Sequence, residues 1–231
     1  MSHTIYIARH GQTTWNVEVR VQGQEDVQLS RDGYRHRRGL FYLLKDRPIQ
    51  RIITSAMRRT ILTAAPLAGH LNLALESTPD LNEISLGLLE GESIKDCDAW
   101  TEETWTWWLE DPLHRRVPGG GESYLDVFTR VDSFLSRSIF NDRGEVLVVG
   151  HFRVNQVLLS RLLGYSPEQA LDICQVNNLV YRLNFSDSIP AVIDHTYTGN
   201  GMEPNWENGL ITSPGARGPF VSDFKKANIP G

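Results

Sequence analysis

The run Val146-Leu147-Val148-Val149-Gly150 is apolar at every position before its glycine. A strand with one wet face alternates apolar and polar residues, so an unbroken apolar run predicts a strand covered on both faces. That environment is met inside a parallel sheet with helices above and below. Ile5-Tyr6-Ile7-Ala8 and the shorter Ile52-Ile53 read in the same way. Between these runs the apolar period changes to that of a helix. Ser30 can cap a helix carrying Leu40, Leu43 and Leu44, which Pro48 brings to an end. Met57 to Leu71 places Ile61, Ala64, Ala65, Ala68 and Leu71 on one face. Ser123 to Phe140 does so with Leu125, Phe128, Val131, Leu135 and Ile139. Val154 to Leu163 is a further helix, closed by Gly164 with Pro167 beyond. Val180–Leu183 and Ala191–Ile193 read as additional strands. The alternation predicts an α/β layer fold with a largely parallel sheet.

Composition narrows the class. A chain of 231 residues, 40% apolar and 22% charged, suits one large domain with a sizeable core. The net charge of -5 argues against general nucleic-acid binding. Cys97 and Cys174 are too few and too far apart for a disulfide framework or a zinc knuckle. With no signal-like segment or membrane-length apolar run, a cytoplasmic protein that does not engage membranes is expected. From His195 to Gly231 the chain is rich in Gly, Pro and Asn and lacks periodicity. This stretch reads as an irregular tail, either loosely packed or folded over the active site.

Reactive side chains gather where strands end. Arg9 and His10 follow the first strand, and Gly11 then allows a sharp turn, with Thr13 or Thr14 able to cap the next helix. Ser55 and the pair Arg58-Arg59 follow the second strand, and His151 follows the all-apolar one. Ligands of open α/β sheets bind beyond the carboxyl ends of strands. Two histidines and one or more arginines there can converge on an anion, with helix N-termini adding partial positive charge and N–H donors. Each residue also has a plainer reading: a satisfied polar histidine, a solvated helix start, or, for Glu83, a helix cap.

Taken together, the motifs resemble the histidine phosphatase superfamily over most of residues 4 to 184. They are Arg9-His10-Gly11 with Thr13, Trp15 and Asn16; Gln22-Gly23 with Asp26, Leu29, Ser30 and Gly33; and Ser55 with Arg59, Thr63 and Ala64. Then come Leu81-Asn82-Glu83 through Gly91, Pro118 through Ser123 with Asp126 and Arg130, and Gly150-His151. The resemblance implies a phosphoglycerate mutase-like, three-layer α/β sandwich with a mostly parallel central sheet. It makes His10 a nucleophile that forms a phosphohistidine. Arg9, Arg59 and His151 are placed around the equatorial phosphoryl oxygens, and Glu83 becomes the proton donor and later the base. Asn16, Gln22, Gly23 and Phe152 are placed at the substrate. No metal and no cofactor is implied, since arginines supply the positive charge.

Departures from the family pattern bear on substrate choice. Small residues often follow the second histidine, but here Phe152 and Arg153 do, and Gln156 takes a usual arginine position. Arg153 is therefore a candidate to reach the substrate. The segment after the catalytic glutamate is Ile84-Ser85-Leu86, without the mutases' arginine and tyrosine. The insertion at about 92–117 is short and reads as a helical lid on a single domain spanning 1–231. Within it Trp100, Thr104, Trp107 and Trp108 are expected on one helical face, either as core or as a pocket wall. Arg115 and Arg116 follow, either solvated or binding a second anionic group. The expected activity is hydrolysis of a small phosphorylated metabolite by a protein that can be a homodimer. The alternatives are a mutase-type phosphoryl transferase and a weakly active regulatory protein that binds phospho-ligands.

Overall fold

The computed structural model describes residues 3–137, 144–185, 192–198 and 205–212. The chain runs through β1 (His3–Arg9), α1 (Thr14–Glu18), α2 (Arg31–Leu44), β2 (Ile49–Ser55), α3 (Arg58–Leu71) and β3 (Leu75–Thr78). It continues through α4 (Ala99–Glu110), α5 (Tyr124–Arg137), β4 (Glu145–Gly150), α6 (Phe152–Leu163) and α7 (Pro167–Ala170). It closes with β5 (Leu179–Phe185), β6 (Val192–Tyr197) and β7 (Glu207–Asn208). The sheet order is β3-β2-β4-β1-β5-β6-β7. The β3-β2-β4-β1 half is parallel, and β5, β6 and β7 are added antiparallel, so the sheet is mixed.

The all-apolar β4 lies between β1 and β2, with a helix layer on each face. Side chains alternate across the sheet with period two. Tyr6, Ala8, Ile52, Leu147 and Val149 meet Leu40, Leu44, Ala64 and Leu67 from α2 and α3. Ile5, Ile7, Ile53, Val146 and Val148 meet Val127, Val131, Val157 and Leu158 from α5 and α6. This is the expected three-layer sandwich.

Local chemistry sets the helix ends. Thr13, rather than Thr14, caps α1 in a capping box with Asn16. The Ser30 hydroxyl accepts from the Gly33 amide at 3.1 Å and starts α2. The α5 stripe is rotated by one position from expectation: Tyr124, Val127, Phe128, Val131 and Phe134 are buried, while Leu125 is exposed. Both stripes keep helical spacing, and the aromatic Tyr124 and Phe134 decide which one faces inward.

The stretch from His195 is not irregular throughout. His195 to Tyr197 complete β6, and Glu207–Asn208 form β7. Cross-strand pairing with β5 supplies the order that composition hid. The expected helix end at Ile139 and Phe140, the strand residue Ala191, and tail residues 199–204 and 213–231 lie outside the described residues.

Candidate active site

Sheet register builds the site. Arg9 pairs with Gly150 across β1 and β4, and Thr54 pairs with Val149 across β2 and β4, so three strands end in one row. His10, the next residue of its strand, donates its amide to the Gly150 carbonyl at 3.0 Å. Its ring lies beside that of His151, with centroids 5.1 Å apart. Two glycines permit this crowding. A Cβ on Gly150 would fall 2.2 Å from Asn155 Oδ1, and one on Gly11 would fall 2.5 Å from the Gly33 carbonyl oxygen.

Hydrogen bonds fix both histidine tautomers. His10 Nδ1–H donates to the Gly11 carbonyl at 2.8 Å, which leaves Nε2 as the ring nitrogen with a free lone pair. His151 Nδ1 accepts from Arg59 Nε–H at 3.1 Å, so its proton sits on Nε2 and is donated to Ser55 Oγ at 2.7 Å. Burial, followed by the charges of Arg59 and Arg9, holds the His10 pKa well below its ordinary 6.5. Burial and Arg59 do the same to His151. Both rings are neutral at pH 7.

Arg9 and Arg59 are buried, and desolvation lowers each to about 10, so both remain cationic. Arg9 is anchored through Nη1 to the Gln175 carbonyl at 3.1 Å, while its Nε has no partner. Arg59 is held by the Glu25 and Gly23 carbonyls at 2.6 and 2.7 Å as well as by His151. Glu83 faces them across the same pocket. Its Oε1 accepts from the amides of Ile84, Arg153 and Val154 at 3.0 to 3.3 Å, so Glu83 caps α6. Oε2 has one long contact, 3.4 Å to the Arg153 amide. Contrary to the expectation from sequence, these first-turn donors of α6 and α3 are not free for a ligand. Glu83 takes those of α6, and Asp26 accepts from the Arg58 amide at 3.2 Å.

His10, Arg9, Arg59, Glu83, Gln22, Gly23 and Phe152 all line one pocket. His151 is not among the residues that line it, and both its ring nitrogens are bonded to protein. Asn16 does not line the pocket. Its Oδ1 accepts from Thr13 in the α1 capping box, and Thr13 reaches Gln22 at 2.9 Å. Arg115 and Arg116 also lie outside it. Glu110 pairs with Arg115 at 2.6 Å, and Asp126 holds Arg116 through two oxygens. The tryptophan face is rotated too. Trp105 and Trp108 are buried with Thr101, whereas Trp100 and Trp107 are 43% and 42% exposed. Trp105 contributes to both core and pocket wall.

Several supporting residues gave no sequence signal. Gln175 binds the Ile7 and Leu179 carbonyls and accepts from Asn155 at 2.7 Å. Asn177 donates to the His10 carbonyl at 2.9 Å. Gln156, which the sequence marks as a departure at a usual arginine position, accepts from the Tyr124 hydroxyl and binds the Leu171 and Ile173 carbonyls, a structural use. Among the described residues no group of three or more His, Cys, Asp or Glu could hold a metal ion.

The family model of the histidine phosphatase superfamily (branch 1) matches residues 5–197. A probable phosphoglycerate mutase of Proteus mirabilis is 33% identical over 186 residues, 80% of this chain and 86% of that protein. The structure of the alpha-ribazole phosphatase of Shigella flexneri superposes with a TM-score of 0.73 at 25% identity, covering 80% of this chain and 91% of the other. A mycobacterial glucosyl-3-phosphoglycerate phosphatase superposes with a TM-score of 0.69 at 26% identity, with coverage of 80% and 91%.

Proposed function

The chain belongs to the histidine phosphatase superfamily, and from that premise we propose that it hydrolyses small phosphomonoesters through a phosphohistidine on His10. One observation carries the reading. A buried, neutral His10, with Nδ1 tied to a carbonyl, turns Nε2 toward a pocket walled by two buried arginines. Such a ring is a nucleophile without needing a base.

The Nε2 lone pair attacks phosphorus, and the ester P–O bond breaks with its electron pair on the leaving oxygen. That oxygen takes a proton from Glu83, whose Oε2 has capacity to spare. The Gly11 carbonyl stabilises the ring as it gains positive charge. Arg9 Nε and the remaining Arg59 N–H groups face the transferring oxygens, the positioning and charge stabilisation that phosphoryl transfer requires. His151 acts by fixing Arg59. Water then attacks phosphorus, its proton goes to Glu83, and the P–N pair returns to Nε2.

Hydrolysis is favoured over transfer because Ile84-Ser85-Leu86 follows Glu83 where the mutases carry an arginine and a tyrosine. The two solved structures are named as phosphatases, which supports the same reading. The transferase reading rests on the mutase name of the sequence relative. Phosphate release from p-nitrophenyl phosphate and a panel of metabolite esters tests hydrolysis. Isomerisation of 3-phosphoglycerate in the presence of 2,3-bisphosphoglycerate, faster than phosphate release, would establish transfer instead. Rapid-quench labelling should trap an acid-labile phosphoprotein that His10→Ala lacks, together with all turnover. A variant with normal turnover would exclude His10 as the nucleophile.

Among the described residues no helix is long and apolar enough to cross a membrane.

A further inference from the structure

Arg153 is buried, 4% exposed, and lines the pocket beside Glu83 and Phe152. Its guanidinium lies over three aromatic rings, 5.6 Å from Trp105, 5.1 Å from Trp108 and 5.9 Å from Phe152. Two of its nitrogens, Nε and Nη2, have no hydrogen-bond partner. Aromatic faces stabilise a cation but do not satisfy in-plane N–H donors. Leaving such donors buried and unmade is costly.

The vacant edge is informative. Nε and Nη2 form the side of a guanidinium that grips two oxygens at once. Among the described residues that edge grips both oxygens of a carboxylate five times: Arg47 with Glu145, Arg51 with Glu76, Arg116 with Asp126, Arg130 with Glu122 and Arg161 with Asp132. At Arg153 no carboxylate of the described residues occupies this edge. Arg9 lies over the same Phe152 ring, at 5.3 Å, and Arg9, His10 and Arg153 line one pocket, so Arg153 borders the site proposed for the phosphoryl group.

We propose that Arg153 receives a carboxylate of the substrate, which makes the substrate a small phosphomonoester that is also a carboxylic acid. This rests on the phosphatase reading. Charge balance selects a carboxylate over a second phosphate. With Glu83 protonated for the first step, Arg9, Arg59 and Arg153 contribute three positive charges. A phosphoryl dianion and a carboxylate neutralise them, whereas two phosphoryl dianions would leave net negative charge buried.

The test compares esters that differ by a carboxylate: O-phosphoserine against O-phosphoethanolamine, and phosphoglycolate against ethyl phosphate. For the wild type, kcat/KM should favour the acid of each pair by about 30-fold or more. In Arg153→Met the preference should collapse toward unity, chiefly through KM. Because the methionine removes an unpaired buried charge, the variant should melt no lower than wild type without ligand. Should it fail to fold, Arg153→Lys, which keeps the charge but loses the fork, must lower the preference by about fivefold. An unaltered preference in a folded variant, or a wild type indifferent to the carboxylate, overturns the proposal. So does a bisphosphate preferred over both acids.

If no ester is hydrolysed, the phosphatase reading fails and a binding measurement decides on Arg153 separately. O-phosphoserine should then raise the wild-type melting temperature more than O-phosphoethanolamine does, and this difference should vanish in Arg153→Met. Equal shifts in the wild type would overturn the carboxylate site.

Discussion

In the proposed mechanism Glu83 combines two demands in one side chain. Oε1 closes the N-terminus of α6, while Oε2, with its single long contact, is the oxygen available for proton transfer. Its removal therefore has a chemical and a structural component, which can be separated by leaving group. Glu83→Gln retains an acceptor oxygen for the α6 amides and cannot deliver the proton. Formation of the phosphoenzyme from an alkyl phosphate should slow by about 10²–10⁴-fold. Formation from p-nitrophenyl phosphate, whose leaving group needs no proton, should slow far less. Pre-steady-state bursts make the comparison, because Glu83 also serves the shared hydrolysis step. Equal losses would mean that the cap alone matters. At this scale sequence and structure agree at Arg9 and His10, where β1 ends, and at Arg59 and Glu83, which line the same pocket. They part at Arg115 and Arg116, whose direction is set by nearby Glu110 and Asp126. They part again at His151, which was legible as a site residue but not as one with both nitrogens already engaged.

Elements place these groups through a few long-range polar anchors. Gln175 lies in the loop before β5, yet its amide binds the Ile7 carbonyl of β1 and accepts from Asn155 of α6. Its own carbonyl holds Arg9. Gln175→Ala should leave several buried polar groups unmatched and cost about 2–4 kcal/mol in urea unfolding. kcat/KM should fall as well, because the Arg9 anchor loosens. A loss under about 0.5 kcal/mol would show that water or repacking replaces the amide. Such a role is invisible in sequence because Ile7 and Arg9 lie more than a hundred residues away and a buried glutamine has no periodic signature. The apolar period, by contrast, located β1, β2, β4 and the long helices. It blurred only where two stripes overlap, as on α4 and α5. The start of β6 is read from Val192 and Ile193, whereas β3, the rest of β6 and β7 take their order from neighbouring strands.

Viewed whole, the molecule carries a net charge of -5 yet brings Arg9, Arg59 and Arg153 together in one pocket. With Arg9 and Arg59 supplying the charge stabilisation, turnover should persist unchanged in excess EDTA. A loss restored by a divalent cation would show that the arginines do not complete the site. The same burial sets the acid stability of the fold. His10 and His151 have folded-state pKa values well below 6.5, and half-buried His36 is shifted in the same direction. In the unfolded chain each returns to about 6.5. As pH falls through that value the unfolded state takes up protons that the folded state refuses, so stability is present above pH 6.5 and is lost below it. The loss continues until the folded-state values are reached. Each fully shifted histidine contributes a slope of up to about 1.4 kcal/mol per pH unit in that window. The urea midpoint should therefore fall steadily between about pH 7 and pH 5, above the range where ordinary carboxylates titrate. His10→Asn should flatten the curve by one histidine's share while leaving the fold intact. A midpoint constant across the window, or a variant with an unaltered slope, would mean that the His10 ring accepts a proton in place. The nucleophile would then not be neutral, and the phosphohistidine chemistry would lose its physical basis.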